Sequence, residues 1–229
     1  MKILVSILTC SRTQMQANAC FNTWVQDIKP PHDYIFYGDK RQSGFMENTL
    51  NCSPDEGEAR CRLPEKTYKM LKKSLDYDWD FLFKCDDDTY LEFSRLEEFL
   101  KKYNPKEDLY IGCMIGKGIK PFPYAQGGAG YALTRSSVEK CLEVLETLYD
   151  DQSRNRKAED FSVGLSLREQ GINLISSKLF NSTKPWIAKD NQSICCNAIL
   201  KNNCITTHYI NPETILKVHK EKFLKQQKK

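Results

Sequence analysis

Trp79-Asp80-Phe81-Leu82-Phe83-Lys84-Cys85-Asp86-Asp87-Asp88 is a mainly apolar run that stops in three carboxylates. A short apolar run bounded by polar residues reads as a buried strand. Three adjacent carboxylates at its end repel one another unless a cation sits among them. Hard divalent cations take carboxylate oxygen, and phosphate oxygens can complete their coordination shell. In an open α/β sheet such ligands gather outside the carboxyl ends of the strands. The segment therefore points to a metal–nucleotide site at a sheet edge, although an acidic triplet alone also fits a solvated turn.

Outward from this segment, strand and helix signals alternate. Met1–Thr9 reads as a first buried parallel strand, interrupted by Cys10-Ser11-Arg12 too early for a signal peptide or a membrane span. Residues 12–26 have helical length and spacing, and Asp33–Gly38 is a second strand. Residues 39–62 carry Gly44, Pro54 and Gly57 and read as a loop. A helix is expected from Pro64 to Leu75, with the proline suited to its first turn. Beyond the Trp79–Phe83 strand come a helix from Ser94 to Tyr103, a strand at Leu109–Gly112 and a helix from Ser136 to Leu148. This order predicts one α/β domain whose sheet is mainly parallel.

Composition narrows the class. With 229 residues, 40% hydrophobic and 28% charged, the chain can bury a real core as a single domain. Its net charge of +4 is concentrated after Lys217, in a lysine-rich helix or tail over residues 217–229. Nucleic-acid binding would need a matching fold motif or an aromatic platform, and neither is in the sequence. Ten cysteines are many, yet no paired CxxC knuckles for zinc occur. Cys52 and Cys61 could close a short loop, and Cys195, Cys196 and Cys204 could add bridges. Asn51-Cys52-Ser53, Asn181-Ser182-Thr183 and Asn191-Gln192-Ser193 fit a glycosylation pattern that is common by chance.

Three further segments carry chemistry. Tyr124–Leu133 holds Gly127, Gly128 and Gly130, which let backbone approach a ligand that a Cβ would exclude, or simply form a turn. It lacks the order of a phosphate-binding loop or dinucleotide fingerprint. Ala158–Gly164 places Glu159 and Asp160 in the first turn of a helix, where they suit its dipole, and Gly171 ends that helix. Adjacent on a helix, the two acids diverge by about 100° and cannot face one ligand together. A carboxylate here, apart from the triplet, can act as a base. His208, in Ile205–Tyr209, would complete a mixed nitrogen–oxygen site suited to manganese. His32 and His219 look incidental.

In this order the segments Trp79–Glu92, Tyr124–Thr134, Ala158–Gly164 and Ile205–Tyr209 resemble glycosyltransferase family 31, nearest to its core 1 β1,3-galactosyltransferase and Fringe branch. Lesser likeness extends to the opening strand, Thr23-Trp24, Lys66-Thr67 and Cys195-Cys196. The resemblance implies a GT-A fold, a Rossmann-like nucleotide-diphospho-sugar transferase domain over residues 1–216. Residues 1–112 would then bind nucleotide, and 113–216 would serve acceptor and catalysis. It further implies a UDP-sugar donor, Mn2+, inversion and a β1,3 linkage to a glycan or a glycosylated Ser/Thr. By matching positions, Asp86, Asp88 and His208 would hold metal, with Asp88 the most direct ligand. Asp87 would contact the donor, Gly127 and Gly128 would line its sugar pocket, Thr9 and Cys10 would lie near uridine, and Lys66 would belong to the donor site. Asp160 would be the base. Galactose is favoured over glucose or N-acetylglucosamine. A metal-dependent hydrolase or nucleotidyltransferase and an idle sugar-binding or chaperone-like relative remain the other readings, and a homodimer stays open. A complete chain would be cytoplasmic or soluble; a catalytic fragment of an anchored enzyme would belong in the Golgi or secretory lumen.

Overall fold

The computed structural model describes residues 1–38, 49–51, 63–116, 122–150, 158–182, 191–201 and 204–226. Its strands are β1 (Ile3–Leu8), β2 (Asp33–Gly38), β3 (Thr49–Asn51), β4 (Phe81–Asp86), β5 (Thr89–Leu91), β6 (Tyr110–Gly112), β7 (Met114–Ile115), β8 (Tyr124–Ala125), β9 (Tyr131–Thr134), β10 (Leu174–Ser176), β11 (Phe180–Asn181) and β12 (Thr206–His208). Its helices are α1 (Gln14–Phe21), α2 (Leu63–Ser74), α3 (Phe93–Leu100), α4 (Arg135–Asp150), α5 (Glu159–Glu169), α6 (Asn191–Lys201) and α7 (Pro212–Gln226).

Seven strands form the central sheet in the order β10-β6-β9-β4-β1-β2-β3. Only β9 runs against its neighbours β4 and β6; the pairs β1–β2, β1–β4, β2–β3 and β6–β10 are parallel. Strands covered on both faces read as continuous apolar runs, because side chains of opposite parity enter different cores. In β1, Ile3, Val5 and Ile7 join one core and Leu4 the other. In β4, Phe81, Phe83 and Cys85 face the first core and Leu82 the second. Helices α1, α3, α6 and α7 contribute to the first core, and α2, α4 and α5 to the second.

The mainly parallel α/β sandwich expected from the sequence is therefore what forms. Several elements differ in detail. The helix expected over 12–26 is broken, with tight 3-10 turns at Ser11–Thr13 and Trp24–Asp27 on either side of α1. Thr23 Oγ1 donates to the Ala19 carbonyl at 2.6 Å, a side-chain bond that competes with helix continuation as Trp24 turns into the core. Strand β4 lies later than expected and takes in Asp86, while Trp79 stays outside it, donating to the Ser74 carbonyl at 2.6 Å. Within the span read as a loop, Thr49–Asn51 forms the edge strand β3; Cys52 and Cys61 lie outside the described residues. Helix α6 and strand β9 were not anticipated. Gly171 ends α5 at φ +76° as expected.

Cys195, Cys196 and Cys204, which could have added bridges, are not joined to one another among the described residues. The first two are consecutive on α6 and so point in diverging directions, and the Cys195 thiol faces the His208 carbonyl at 3.7 Å. The lysine-rich segment from 217 begins inside α7, whose Ile215 and Val218 are core residues. Among the described residues, no helix is long and apolar enough to cross a membrane.

Candidate active site

The site lies at the carboxyl edge of β1 and β4. Strand β4 delivers Asp86 as its last residue, and the chain turns through Asp87-Asp88 into β5. A second, three-stranded sheet, in the order β11-β12-β5, then brings in the distant C-terminal segment. Strand β12 pairs antiparallel with β5 in a register that sets His208 opposite Thr89, the residue after Asp88. His208 Nε2 consequently lies 2.9 Å from Asp88 Oδ1 and 4.0 Å from Asp86 Oδ2. One ligand atom from each of Asp86, Asp88 and His208 falls within 4.8 Å of the others.

Two carboxylates and one imidazole in this arrangement fit a divalent cation accepting oxygen and nitrogen. The surrounding backbone is cut to match. A Cβ on Gly128 would sit 2.0 Å from His208 Cε1, so only glycine leaves room for the imidazole. Thr89 Oγ1 donates to the Gly128 carbonyl at 2.7 Å and fixes the glycine turn against β5.

Asp87 turns the other way. Its Oδ2 accepts the Thr9 hydroxyl at 2.7 Å, while its N–H donates to the Leu8 carbonyl at 3.0 Å. Burial lifts the Asp87 carboxyl to about 8, against hydrogen bonds from Thr13 and Thr9. Beside it is an open cavity of about 260 Å³, lined by Thr9, Cys10, Lys66 and all three aspartates. Lys66 reaches this cavity from the first turn of α2.

On the opposite flank stands the start of α5. Asp160 Oδ2 accepts the Gly127 N–H at 3.1 Å and its Oδ1 the Phe161 N–H at 2.8 Å. Burial raises the Asp160 carboxyl above its ordinary value, and those N–H bonds, with the Lys84 charge, restrain the rise. Glu159 points elsewhere, as adjacent helical positions require. Its Oε1 accepts from the fully buried Lys84, whose ammonium also reaches Asp86 Oδ1 at 2.8 Å and the Gly127 carbonyl at 3.2 Å. Burial lifts Glu159 to about 7 against the pull of that ammonium. For Lys84 burial acts downward, but Asp86 and Glu159 outweigh it and hold the group well above its ordinary value. A Cβ on Gly127 would lie 2.1 Å from Glu159 Oε1 and would displace that carboxyl from Lys84.

The structure thus gathers the sequence-derived candidates into two adjoining sets. Thr9, Cys10, Lys66 and Asp87 stand around the cavity, and Gly127, Gly128, Asp160 and His208 lie beyond Asp86 and Asp88. Glu159 was expected to cap or to pair, but its partner Lys84 escaped sequence reasoning, as did Gln126, whose Nε2 meets His208 Nδ1 at 3.1 Å. Lys84 was detectable in principle: it lies two residues before Asp86 on one strand and so shares its face.

The chain matches the Fringe-like family model over residues 1–226. It is 29% identical over 125 residues to the human β-1,3-glucosyltransferase, an alignment covering 52% of this chain and 24% of that protein. It is 30% identical over 122 residues to Xenopus laevis glycoprotein-N-acetylgalactosamine 3-β-galactosyltransferase 1, covering 51% and 32%. The Danio rerio β-1,3-N-acetylglucosaminyltransferase manic fringe is 26% identical over 210 residues, covering 79% and 55%. The chain thus spans between a quarter and just over half the length of these relatives. Among solved structures, the glycosyltransferase GlyE of Streptococcus pneumoniae TIGR4 is similar with a TM-score of 0.59 at 12% identity, covering 99% of this chain and 64% of that one. The galactosyltransferase LgtC, in complex with donor and acceptor sugar analogues, gives 0.53 at 12% identity, covering 96% of each chain. At such identity the likeness is one of fold, and that fold is GT-A. The family match spans the strand that ends in Asp86, the glycine turn, the head of α5 and the strand that carries His208: the chain belongs to the Fringe-like family.

Proposed function

We propose that the chain is a metal-dependent, inverting hexosyltransferase that moves a sugar from a UDP-sugar to a hydroxyl of a glycan or glycosylated Ser/Thr, forming a β1,3 linkage. The observation that carries this reading is the convergence of Asp86, Asp88 and His208 between the Asp87 cavity and the Asp160 carboxylate. The donor set suits Mn2+. Once bound, the cation supplies positive charge that neutralises the departing diphosphate.

The chain's own groups do the rest. Thr9, Cys10 and Lys66 line the cavity for the nucleotide, and Asp87, anchored by Thr9, presents its carboxyl group to the donor. Gly127 and Gly128, which make way for Glu159 and His208, line the donor-sugar pocket with backbone. Asp160, partly desolvated and held by two backbone N–H groups, takes the proton of the attacking hydroxyl on the face away from the leaving group. In this reading residues 1–112 mainly bind donor, and 113–216 supply the base and acceptor contacts. Galactose is the favoured sugar; the named relatives equally include glucosyl and N-acetylglucosaminyl transferases.

The test is a UDP-sugar panel with Mn2+, scored for transfer, for free-sugar release and for product linkage by NMR. A β-linked product that disappears with Asp88→Ala supports the reading. Release of free sugar alone would make the chain a hydrolase, and tight UDP binding without turnover an idle relative. Asp160→Asn should cost about 10²–10⁴-fold in turnover while UDP and Mn2+ still bind; an α-linked product or near-normal turnover in that variant removes Asp160 as the base.

A further inference from the structure

His208 is enclosed on four sides. Its Nε2 faces Asp88 at 2.9 Å, its Nδ1 meets Gln126 Nε2 at 3.1 Å, and its ring edge lies against Gly128. The fourth side is the ring of Tyr209, stacked on the imidazole with centroids 3.7 Å apart and planes 24° from parallel. The Tyr209 hydroxyl is hydrogen-bonded to the same Gln126 side chain, so the three residues form a closed ring of contacts.

That stack requires an unusual backbone. Along an extended strand, successive side chains point to opposite faces, so the residue after His208 should carry its ring away from it. Tyr209 instead has φ +64°, the only non-glycine residue with positive φ among those described. For a bulky side chain the left-handed region is an outlier, and such outliers persist only where surrounding contacts over-determine them. Here the Tyr209 carbonyl accepts Gln192 Nε2 at 3.1 Å, the Asn211 N–H donates to Gln192 Oε1 at 3.0 Å, and the Ile210 N–H donates to the Asp88 carbonyl at 2.9 Å. Tyr209 belongs to neither hydrophobic core. The left-handed turn thus brings the Tyr209 ring back over the imidazole, while Ile210 after it enters the core.

We infer that Tyr209 is a positioning residue that clamps the His208 ring in its metal-binding orientation. The inference rests on the metal reading of Asp86, Asp88 and His208, not on the identity of the sugar. Partners that orient a ligand histidine commonly change metal affinity by about 10–100-fold when removed.

The experiment is Mn2+ titration by electron paramagnetic resonance, together with thermal unfolding in chelator, for the wild-type chain, Tyr209→Gly and Tyr209→Phe. Glycine removes the ring and accepts the left-handed backbone without strain. Tyr209→Gly should therefore lose about tenfold or more in Mn2+ affinity while its melting temperature in chelator stays level or rises. Tyr209→Phe keeps the stack and loses only the hydroxyl, and should lie between the two. Wild-type affinity in Tyr209→Gly overturns the clamp. So does a fall in chelated stability large enough to account for the lost affinity, since that marks a merely structural residue. A wild-type chain that takes up no Mn2+ overturns the metal reading itself, and the clamp with it.

Discussion

Gly128 is where a single carbon decides the site. A methyl group there would overlap His208 Cε1, with backbone on one side and the Tyr209 ring on the other leaving the imidazole nowhere to move. Gly128→Ala should therefore weaken Mn2+ binding by about tenfold or more with little change in far-UV circular dichroism; unchanged binding would show that the imidazole can retreat. Lys84 poses the opposite problem, a full charge at the centre of the protein. Lys84→Met leaves Asp86 and Glu159 facing each other without their cation, and breaking a buried pair typically costs about 3–5 kcal/mol. Urea unfolding should register a loss of that order, and Lys84→Met with Glu159→Gln should recover part of it. Equal stabilities for the single and double variants would show that Glu159 does not depend on Lys84. The two sites also differ in how they can be read from sequence. Asp86–Asp88, Asp160 and His208 stand in segments whose residue types already suggest chemistry. Lys84 sits inside an apolar run where a lysine looks like noise, because only Asp86 among its partners is near it in sequence and Glu159 is carried by an element far along the chain.

Among the elements, α5 controls the base. Gly164 lies against strand β8, and a Cβ on it would meet Tyr124 Cβ at 2.5 Å. Gly164→Ala should push the helix outward, costing about 1–3 kcal/mol as overpacking does and displacing Asp160 from the Gly127 N–H. Turnover should fall while UDP affinity holds, since the donor cavity is built from other elements; a matched loss of both would mean the helix shift spreads through the sheet. Gly164 lies one turn after Asp160, where the lack of a side chain lets α5 sit close against a neighbour. The break of the 12–26 helix was not readable from the sequence, because it depends on Trp24 finding its core and Thr23 bonding back to Ala19, which are tertiary outcomes. Strand β9 was hidden for a related reason. The glycine turn before it dominates the local pattern, and only the partners β4 and β6 make Tyr131–Thr134 extended.

For the whole molecule, the metal ligands join two sheets that also share one hydrophobic core, with Phe83 of the large sheet stacked on Phe180 of the small one. Asp86 ends the large sheet, His208 belongs to the small one, and a cation held between them binds only the folded state. At a free concentration a hundredfold above its Kd, such a ligand stabilises by about 2.7 kcal/mol. A domain of this size should then melt roughly 5–10 °C higher, taking about 2–4 °C per kcal/mol. His208→Ala should lose most of that gain in a thermal scan with and without Mn2+, and an equal gain in the variant would place the stabilising ion elsewhere. The pairing of β12 with β5 also imposes an order in time. As the chain leaves the ribosome, the aspartates emerge first, and α4, α5 and α6 must follow before the imidazole exists to meet them. Contacts between such distant segments form late, because loop closure must come first. During refolding, capture of Mn2+ should lag behind recovery of the large sheet, so the ion acts as a clock that starts only when the last strand has docked.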